Sequence, residues 1–170
     1  MTERVIEGWD NYRFGMSPEQ VRGIPGRTWG SLQRVEHAAF MDAHGLVELA
    51  GLECLVCFTF DSQDRLARVE LIDPSVPTKN ARRLFLRCLT LHERQYGVFS
   101  ASNFHLDHTS ERLPGGRSQY SIRRINKHDS ILEAELERSD ARIFLEGEVN
   151  VTTGKSLLSM AYQRPDWSDC

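Results

Sequence analysis

The sequence predicts an α+β fold, in which helices pack on one face of one or more antiparallel sheets. Three observations predict it: an alternating strand pair over residues 52–72, a long amphipathic segment over 78–96, and further alternating segments between 120 and 162. Runs of strands with interposed helices are typical of this class rather than of a parallel β-α-β domain. The length predicts a single domain over 1–170, within which 11–97 and 98–163 are candidate pseudo-repeated halves.

The composition gives no reason to expect nucleic acid or a membrane as partner. The formal net charge is −3 and the sequence pI is about 6.1. No apolar run approaches the roughly 18 residues of a membrane span, and residues 1–10 lack the apolar core of a signal peptide. We therefore expect a soluble, cytoplasmic chain, or a periplasmic one if a leader was removed when the protein was made.

The strongest strand signal begins at Leu52. Apolar residues alternate from there to Phe60, and the alternation returns after a polar turn at 61–64. Because successive side chains of a strand point to opposite faces, this pattern predicts a β-hairpin lying against a hydrophobic core. The residues expected to face that core are Leu52, Cys54, Val56, Phe58 and Phe60 on the first strand and Ala67, Val69 and Leu71 on the second.

Cys54 and Cys57 have the C-x-x-C spacing of zinc and redox motifs. Those motifs need both sulfur atoms on one side of a turn or at the start of a helix, whereas residues three apart on a strand point to opposite faces. We therefore expect no disulfide and no zinc at this pair. Cys54 and Cys88 are expected to be small hydrophobic core residues.

A short helix is predicted to begin at Ser17. Its hydroxyl can cap the helix, Pro18 fits the first helical position, and Gln20 can close a capping box. Residues 23–26 contain two glycines and a proline and should end the helix. Residues 28–45 are ambiguous, because their apolar residues have helical spacing while an extended conformation is equally open.

Residues 78–96 predict a long helix that ends at Gly97. Residues 98–118 are rich in Ser, Asn, His, Gly and Pro and predict a long loop. The helix face expected to be buried carries Ala81, Leu84, Phe85, Cys88, Leu91, His92 and Gln95. The later strands are expected at 120–125, 131–137, 142–151 and 157–162, with a hairpin turn at 152–155.

A family resemblance appears in the segment FGMSPEQV (14–21), in the LAGL turn (49–52) that leads into the strand ending FTF (58–60), and in the helix end at 96–97. Together they resemble the bacterial domains related to β-lactamase-inhibitor protein and the small outer-membrane-assembly lipoproteins. The resemblance covers residues 11–97 and, more loosely, 120–163. It implies helices on an antiparallel sheet and a protein-binding role. The chain departs from the family in lacking a secretion signal and an N-terminal lipid-attachment cysteine.

The long loop carries a combination of residues that could hold a metal ion. His105, Asp107 and His108 provide two imidazoles and a carboxylate within four positions, and such donors suit a metal ion. No third or fourth well-spaced ligand follows, so a solvated loop is the preferred interpretation, with no metal and no cofactor. A small metal-dependent or hydrolytic enzyme built on 98–118 is the alternative function.

Acidic residues occupy alternate positions on two predicted strands, at Glu133, Glu135 and Glu137 and at Glu146 and Glu148. Paired carboxylates can transfer protons when burial separates their pKa values. An open sheet face would instead leave them solvated, and that is the interpretation we favour. No Gly-x-Ser-x-Gly elbow and no phosphate-binding glycine loop accompanies them, so no catalytic residue is predicted.

Positive charge is concentrated on the long helix. Such segregation in an acidic chain suits electrostatic steering toward an acidic partner. Near 120–127 an aromatic residue lies among basic ones, but no stacking motif of an RNA-binding sheet is present, so nucleic acid is disfavoured. The sequence thus predicts a noncatalytic protein-binding module of inhibitor, immunity or assembly-factor type. Its candidate partner-binding residues are Arg82, Arg83, Arg87 and Arg94.

Overall fold

The computed structural model describes residues 5–49, 51–102 and 108–168, with the backbone alone for 44–49. The described chain is dominated by antiparallel strands, with two helices between them. The elements are β1 (Gly8–Trp9), β2 (Tyr12–Arg13), α1 (Pro18–Arg22), β3 (Thr28–Trp29), β4 (Gln33–Val35), β5 (Ala38–Leu49), β6 (Leu52–Phe60), β7 (Leu66–Pro77), α2 (Thr78–Tyr96), β8 (Ser100–Ala101), β9 (Thr109–Arg112), β10 (Gln119–Arg124), β11 (Ser130–Glu137), β12 (Arg142–Val149) and β13 (Lys155–Gln163).

Eleven of these strands form one antiparallel sheet, and β1 and β2 form a separate hairpin. The order across the large sheet is β3-β5-β6-β7-β13-β12-β11-β10-β9, with β4 also paired to β5 and β8 to β11. The segments 11–97 and 98–163 both contribute strands to this sheet, and the β7–β13 pair joins them.

The predicted α+β class, with helices packed on one face, is wrong. Thirteen strands and two helices make up the regular structure of the described residues, so the sheet dominates the fold. One reason is that residues 28–45 form β3, β4 and most of β5. Their sequence pattern did not decide between a helix and an extended conformation. Another is that the predicted loop 98–118 contains β8 and β9, which owe their strand conformation to pairing with β11 and β10. All four residues of β9 are exposed, so this strand has no alternation of apolar and polar residues that would predict it from the sequence.

The predicted hairpin is confirmed. On β6 the side chains of Leu52, Cys54, Val56, Phe58 and Phe60 are buried, and on β7 those of Ala67, Val69 and Leu71. Rows of opposed residues continue that face across the sheet. One row runs Leu136, Ile143, Tyr162, Val69 and Phe58, and the next runs Ala134, Leu145, Met160, Leu71 and Val56. We call this face the inner face and the opposite one the outer face.

Strand parity separates the two hairpin cysteines, as the sequence predicts. Cys54 is buried on the inner face, whereas Cys57 is half-buried on the outer face, opposite Asp42. Burial raises the pKa of the Cys57 thiol to about 12, and a hydrogen bond with Asp42 acts in the same direction. This thiol is therefore protonated at neutral pH and poorly reactive.

Aromatic residues of the N-terminal segment cover one end of the inner face. The Phe58 ring lies 4.7 Å from that of Tyr12 and 5.4 Å from that of Trp29, measured between centroids. The short helix α1 has the predicted capping box at Ser17 and ends at Gly23. Val21 on this helix is fully buried, so the N-terminal segment contributes side chains to the hydrophobic core.

Helix α2 covers the other end of the inner face. Its Ala81, Phe85, Cys88, Leu89 and His92 are buried, which confirms the predicted helix and the core shared with the hairpin. The prediction was wrong for Leu91 and Gln95, which are exposed. The helix ends at Gly97, whose φ of 117° lies in the range that favours glycine.

Candidate binding surface

The outward side of α2 carries an uninterrupted set of basic residues. Arg83, Arg87 and Arg94 are all exposed and fall within about 40° of one another around the helix axis, directly opposite the buried residues. Lys79 extends this line toward the start of the helix, and Leu91, 41% exposed, lies along its margin. We call Lys79, Arg83, Arg87, Leu91 and Arg94 the basic stripe.

The basic stripe has no acidic counterpart in the described part of the chain. No carboxylate there lies within ion-pair distance of its cations, and Arg83 makes only a 3.5 Å contact with the Asn80 side-chain oxygen. From Lys79 to Arg94 the stripe is about 22 Å long. It therefore presents four positive charges in a row to solvent.

Arg82, the fourth predicted arginine, points elsewhere. Its guanidinium donates to the Glu111 carboxylate at 2.6 Å and to the Tyr120 hydroxyl at 3.2 Å. The Tyr120 hydroxyl in turn donates to Glu111 at 2.7 Å. This triad ties α2 to β9 and β10, so the geometry gives Arg82 a structural contact rather than a free charge.

Glu93, the only acidic residue of α2, also faces away from the stripe. Its carboxylate accepts hydrogen bonds from the backbone amides of Arg117 and Ser118, the shorter at 2.6 Å. Burial opposes ionisation of Glu93, but these hydrogen bonds outweigh it and lower the pKa. Glu93 thus holds the turn 113–118, and the outward side of the helix carries no acidic residue.

The helix that carries the stripe is held rigidly at both ends. At its start the Thr78 hydroxyl donates to the Asn150 carbonyl at 2.6 Å. Near its end His92 is hydrogen-bonded to Tyr162 of the sheet at 2.7 Å. Between them, Phe85 packs against Gly147, where an added Cβ would lie 3.1 Å from the ring. A helix held in this way needs no ordering of its backbone when a partner binds.

Of the three predicted metal candidates, His108 is the one that the structure describes. His105 and Asp107 lie outside the described residues, and His108 is half-buried just before β9. Among the residues that are described, no three of His, Cys, Asp and Glu lie close enough to hold a metal ion. The metal-dependent alternative therefore gains no geometric support.

The acidic residues of β11 and β12 share the outer face, as the sequence predicts. Glu133 lies directly opposite Glu146, and Glu148 lies one position along the same face. Burial raises the pKa of Glu146, and the neighbouring carboxylates of Glu133 and Glu70 raise it further. The expectation that these side chains are solvated is wrong for Glu133, Glu146 and Glu148, because all three are half-buried.

A cavity of about 390 Å³ opens beside the N-terminal segment, lined by Ile6, Phe14, Asp140 and Arg164 among others. Its charged groups are already paired. Asp140 accepts from Arg138 at 2.9 Å and from the Ile6 amide at 2.7 Å, and Arg164 donates to Asp61 at 2.9 Å. The cavity therefore offers no free charge to a ligand from these residues.

In the described part of the chain, neither helix is long and apolar enough to cross a membrane.

Comparison of the chain with protein-family models, curated proteins and solved structures found no match. The resemblance to the domains related to β-lactamase-inhibitor protein therefore stays a prediction.

Proposed function

We propose that this protein is a noncatalytic binding module, of inhibitor, immunity or assembly-factor type, that docks an acidic surface of another protein. The observation that carries the proposal is the basic stripe: four outward cations that have no acidic partner among the described residues, on a helix fixed to the sheet by Thr78, Phe85 and His92. Unpaired charges in a row raise the rate at which an oppositely charged partner is captured.

The stripe suits a protein better than a nucleic acid or a lipid surface. Leu91 gives the stripe an exposed apolar contact of the kind found in protein interfaces. None of the outward residues of α2 is aromatic, so the surface offers no platform on which bases could stack.

The first test uses a defined acidic probe, a fluorescently labelled polyglutamate peptide, at about 20 mM salt, where screening is weak. We expect the unaltered protein to bind it and the double variant Arg83→Glu/Arg87→Glu to bind at least about tenfold more weakly. The matched control is Arg124→Glu/Lys127→Glu, which makes the same charge change at exposed positions off the helix. Equal loss in both variants, or no loss in either, would contradict the proposal.

The second test identifies the natural partner. Proteins from the source cell are captured on the unaltered protein, on the stripe variant and on the control variant. A partner that binds the stripe is retained by the unaltered protein and by the control variant, and it is lost by the stripe variant. Its association rate should fall with added salt for the unaltered protein and become nearly independent of salt for the stripe variant.

A further inference from the structure

The outer face of the sheet is the second charged surface of this protein. Three of its half-buried carboxylates, Glu133, Glu146 and Glu70, lie on β11, β12 and β7, and the exposed Asp42 lies farther along on β5. Five strand spacings separate Glu133 from Asp42, or about 24 Å. The carboxylates thus extend across the strands over the same distance as the basic stripe extends along α2.

Several groups on the outer face lack the partners that folding usually provides. Glu133 and Glu146 are like charges in directly opposed positions, an arrangement that weakens a strand pair. The same face also carries arginines: Arg68 pairs with Glu70 at 3.5 Å, and the Nε atoms of Arg123 and Arg142 are buried without a hydrogen-bond acceptor in the described structure. Leu55, which shares the row of Glu146, is 51% exposed. The opposed carboxylates and the exposed leucine suit a partner surface that is basic and partly apolar.

Helix α2 and the N-terminal aromatic residues lie on the other side of the sheet. Helix α2 packs on the inner face through Phe85 and His92, and the N-terminal aromatics contact Phe58 on that face. At the outer face, the C-terminal segment reaches Gln163, whose side-chain amide donates to the Trp167 carbonyl at 2.8 Å. On that face Glu70 lies one row away from Gln163, and Glu133 and Glu146 lie two rows away.

We infer that one acidic partner of the basic stripe is a second copy of this chain, whose outer sheet face takes α2 of the first across its strands. This inference rests on the proposed function, since it uses the same stripe. The complementary charge and the matched length support it. Arg83 and Arg87 of one copy relieve the repulsion between Glu133 and Glu146 of the next, and Leu91 meets the apolar part of that face.

The geometry of this contact fixes the form of the assembly. The two surfaces are different, so the contact is head-to-tail, and a pair of copies keeps one stripe and one outer face free for further copies. One helix on a sheet face is a small interface, of the size of transient encounters rather than of permanent dimers. The association is therefore weak and dependent on salt, and it continues beyond the dimer to larger assemblies.

The test is sedimentation velocity of the full chain between about 10 µM and about 500 µM, at about 20 mM and about 500 mM salt. At low salt the weight-average mass should rise from the 19.5 kDa monomer with concentration, without levelling off at the dimer. High salt should return it to the monomer. A chain that remains monomeric at low salt throughout this range overturns the inference.

Two charge-reversed variants test the surfaces themselves. Arg83→Glu/Arg87→Glu and Glu133→Lys/Glu148→Lys should each remain monomeric alone, and an equimolar mixture should associate again, because each then meets a surface of opposite charge. The control Arg124→Glu/Lys127→Glu should associate like the unaltered chain. Association of either reversed variant alone, or no association of the mixture when both are folded by circular dichroism, contradicts the pairing.

The polyglutamate experiment separates this inference from the proposed function. A monomeric chain that binds polyglutamate through Arg83 and Arg87 overturns the self-association and leaves a different protein as partner. A chain whose polyglutamate binding ignores the stripe variant overturns the proposed function as well.

Discussion

The Nε2 atom of His92 lies 2.7 Å from the hydroxyl oxygen of Tyr162, in a part of the core where both side chains are almost fully buried. The Nδ1 atom of the same ring lies 2.8 Å from the Cys88 carbonyl, which can only accept, so Nδ1 carries the proton. The Tyr162 hydroxyl therefore donates to Nε2. This pattern requires a neutral imidazole, and it joins α2 to the centre of the sheet.

The protein should lose stability between about pH 6.5 and about pH 4 because of His92. Burial lowers the pKa of His92 from 6.5 to about 4 in the folded state, although the Cys88 hydrogen bond opposes the shift. Above pH 6.5 the ring is neutral in both states, so it contributes no penalty. As the pH falls, the unfolded chain binds the proton first, and the free energy of unfolding should drop by roughly 3 kcal/mol near pH 4.

Urea unfolding at several pH values measures this effect in the unaltered protein, in His92→Phe and in His37→Gln. His37 is exposed, so its replacement should leave the pH dependence unchanged. His92→Phe should flatten the dependence in this window whatever its effect on overall stability. A dependence of the same size in His92→Phe would assign the effect to another group.

Replacement of Phe58 by alanine should cost about 3–5 kcal/mol of the free energy of unfolding, because the side chain is fully buried between Tyr12, Trp29 and the sheet. Leu55→Ala is the control on the same strand, since Leu55 lies on the outer face and is 51% exposed. Its cost should stay within about 0.5 kcal/mol. Equal denaturation midpoints for the two variants would show that the inner face of β6 is not the core.

Gly147 should resist replacement because α2 lies against it. A Cβ added there would approach Phe85 Cδ2 to 3.1 Å and Phe85 Cβ to 3.3 Å. Gly147→Ala is expected to destabilise the protein by about 1–3 kcal/mol, as overpacking does. In combination with Phe85→Leu the added methyl group should cost less than it does alone. A double-mutant cycle measures this coupling, and purely additive costs would show that the two residues do not share the contact.

Local patterns determined much of this protein from the sequence by itself. Alternation fixed which side chains of β6 and β7 point inward, and the 3.6-residue period fixed the buried side of α2 through Phe85, Cys88 and His92. The capping box at Ser17 and the end of α2 at Gly97 are equally local, because each depends on residues within one turn. The arginines of the outward side of α2 were likewise visible as a basic face.

The tertiary structure decided the fold class, the partners of charged residues and the outer face. Strands such as β3, β4, β8 and β9 exist because a neighbouring strand supplies their hydrogen bonds. A segment of two to four residues is too short for its own sequence pattern to predict that pairing. Arg82 and Arg83 are adjacent in sequence, yet the position of Glu111, 29 residues away, makes the first a structural contact, whereas no carboxylate among the described residues pairs with the second. Register placed Glu133 opposite Glu146 in the same way, because pairing between strands depends on contacts distant in the chain.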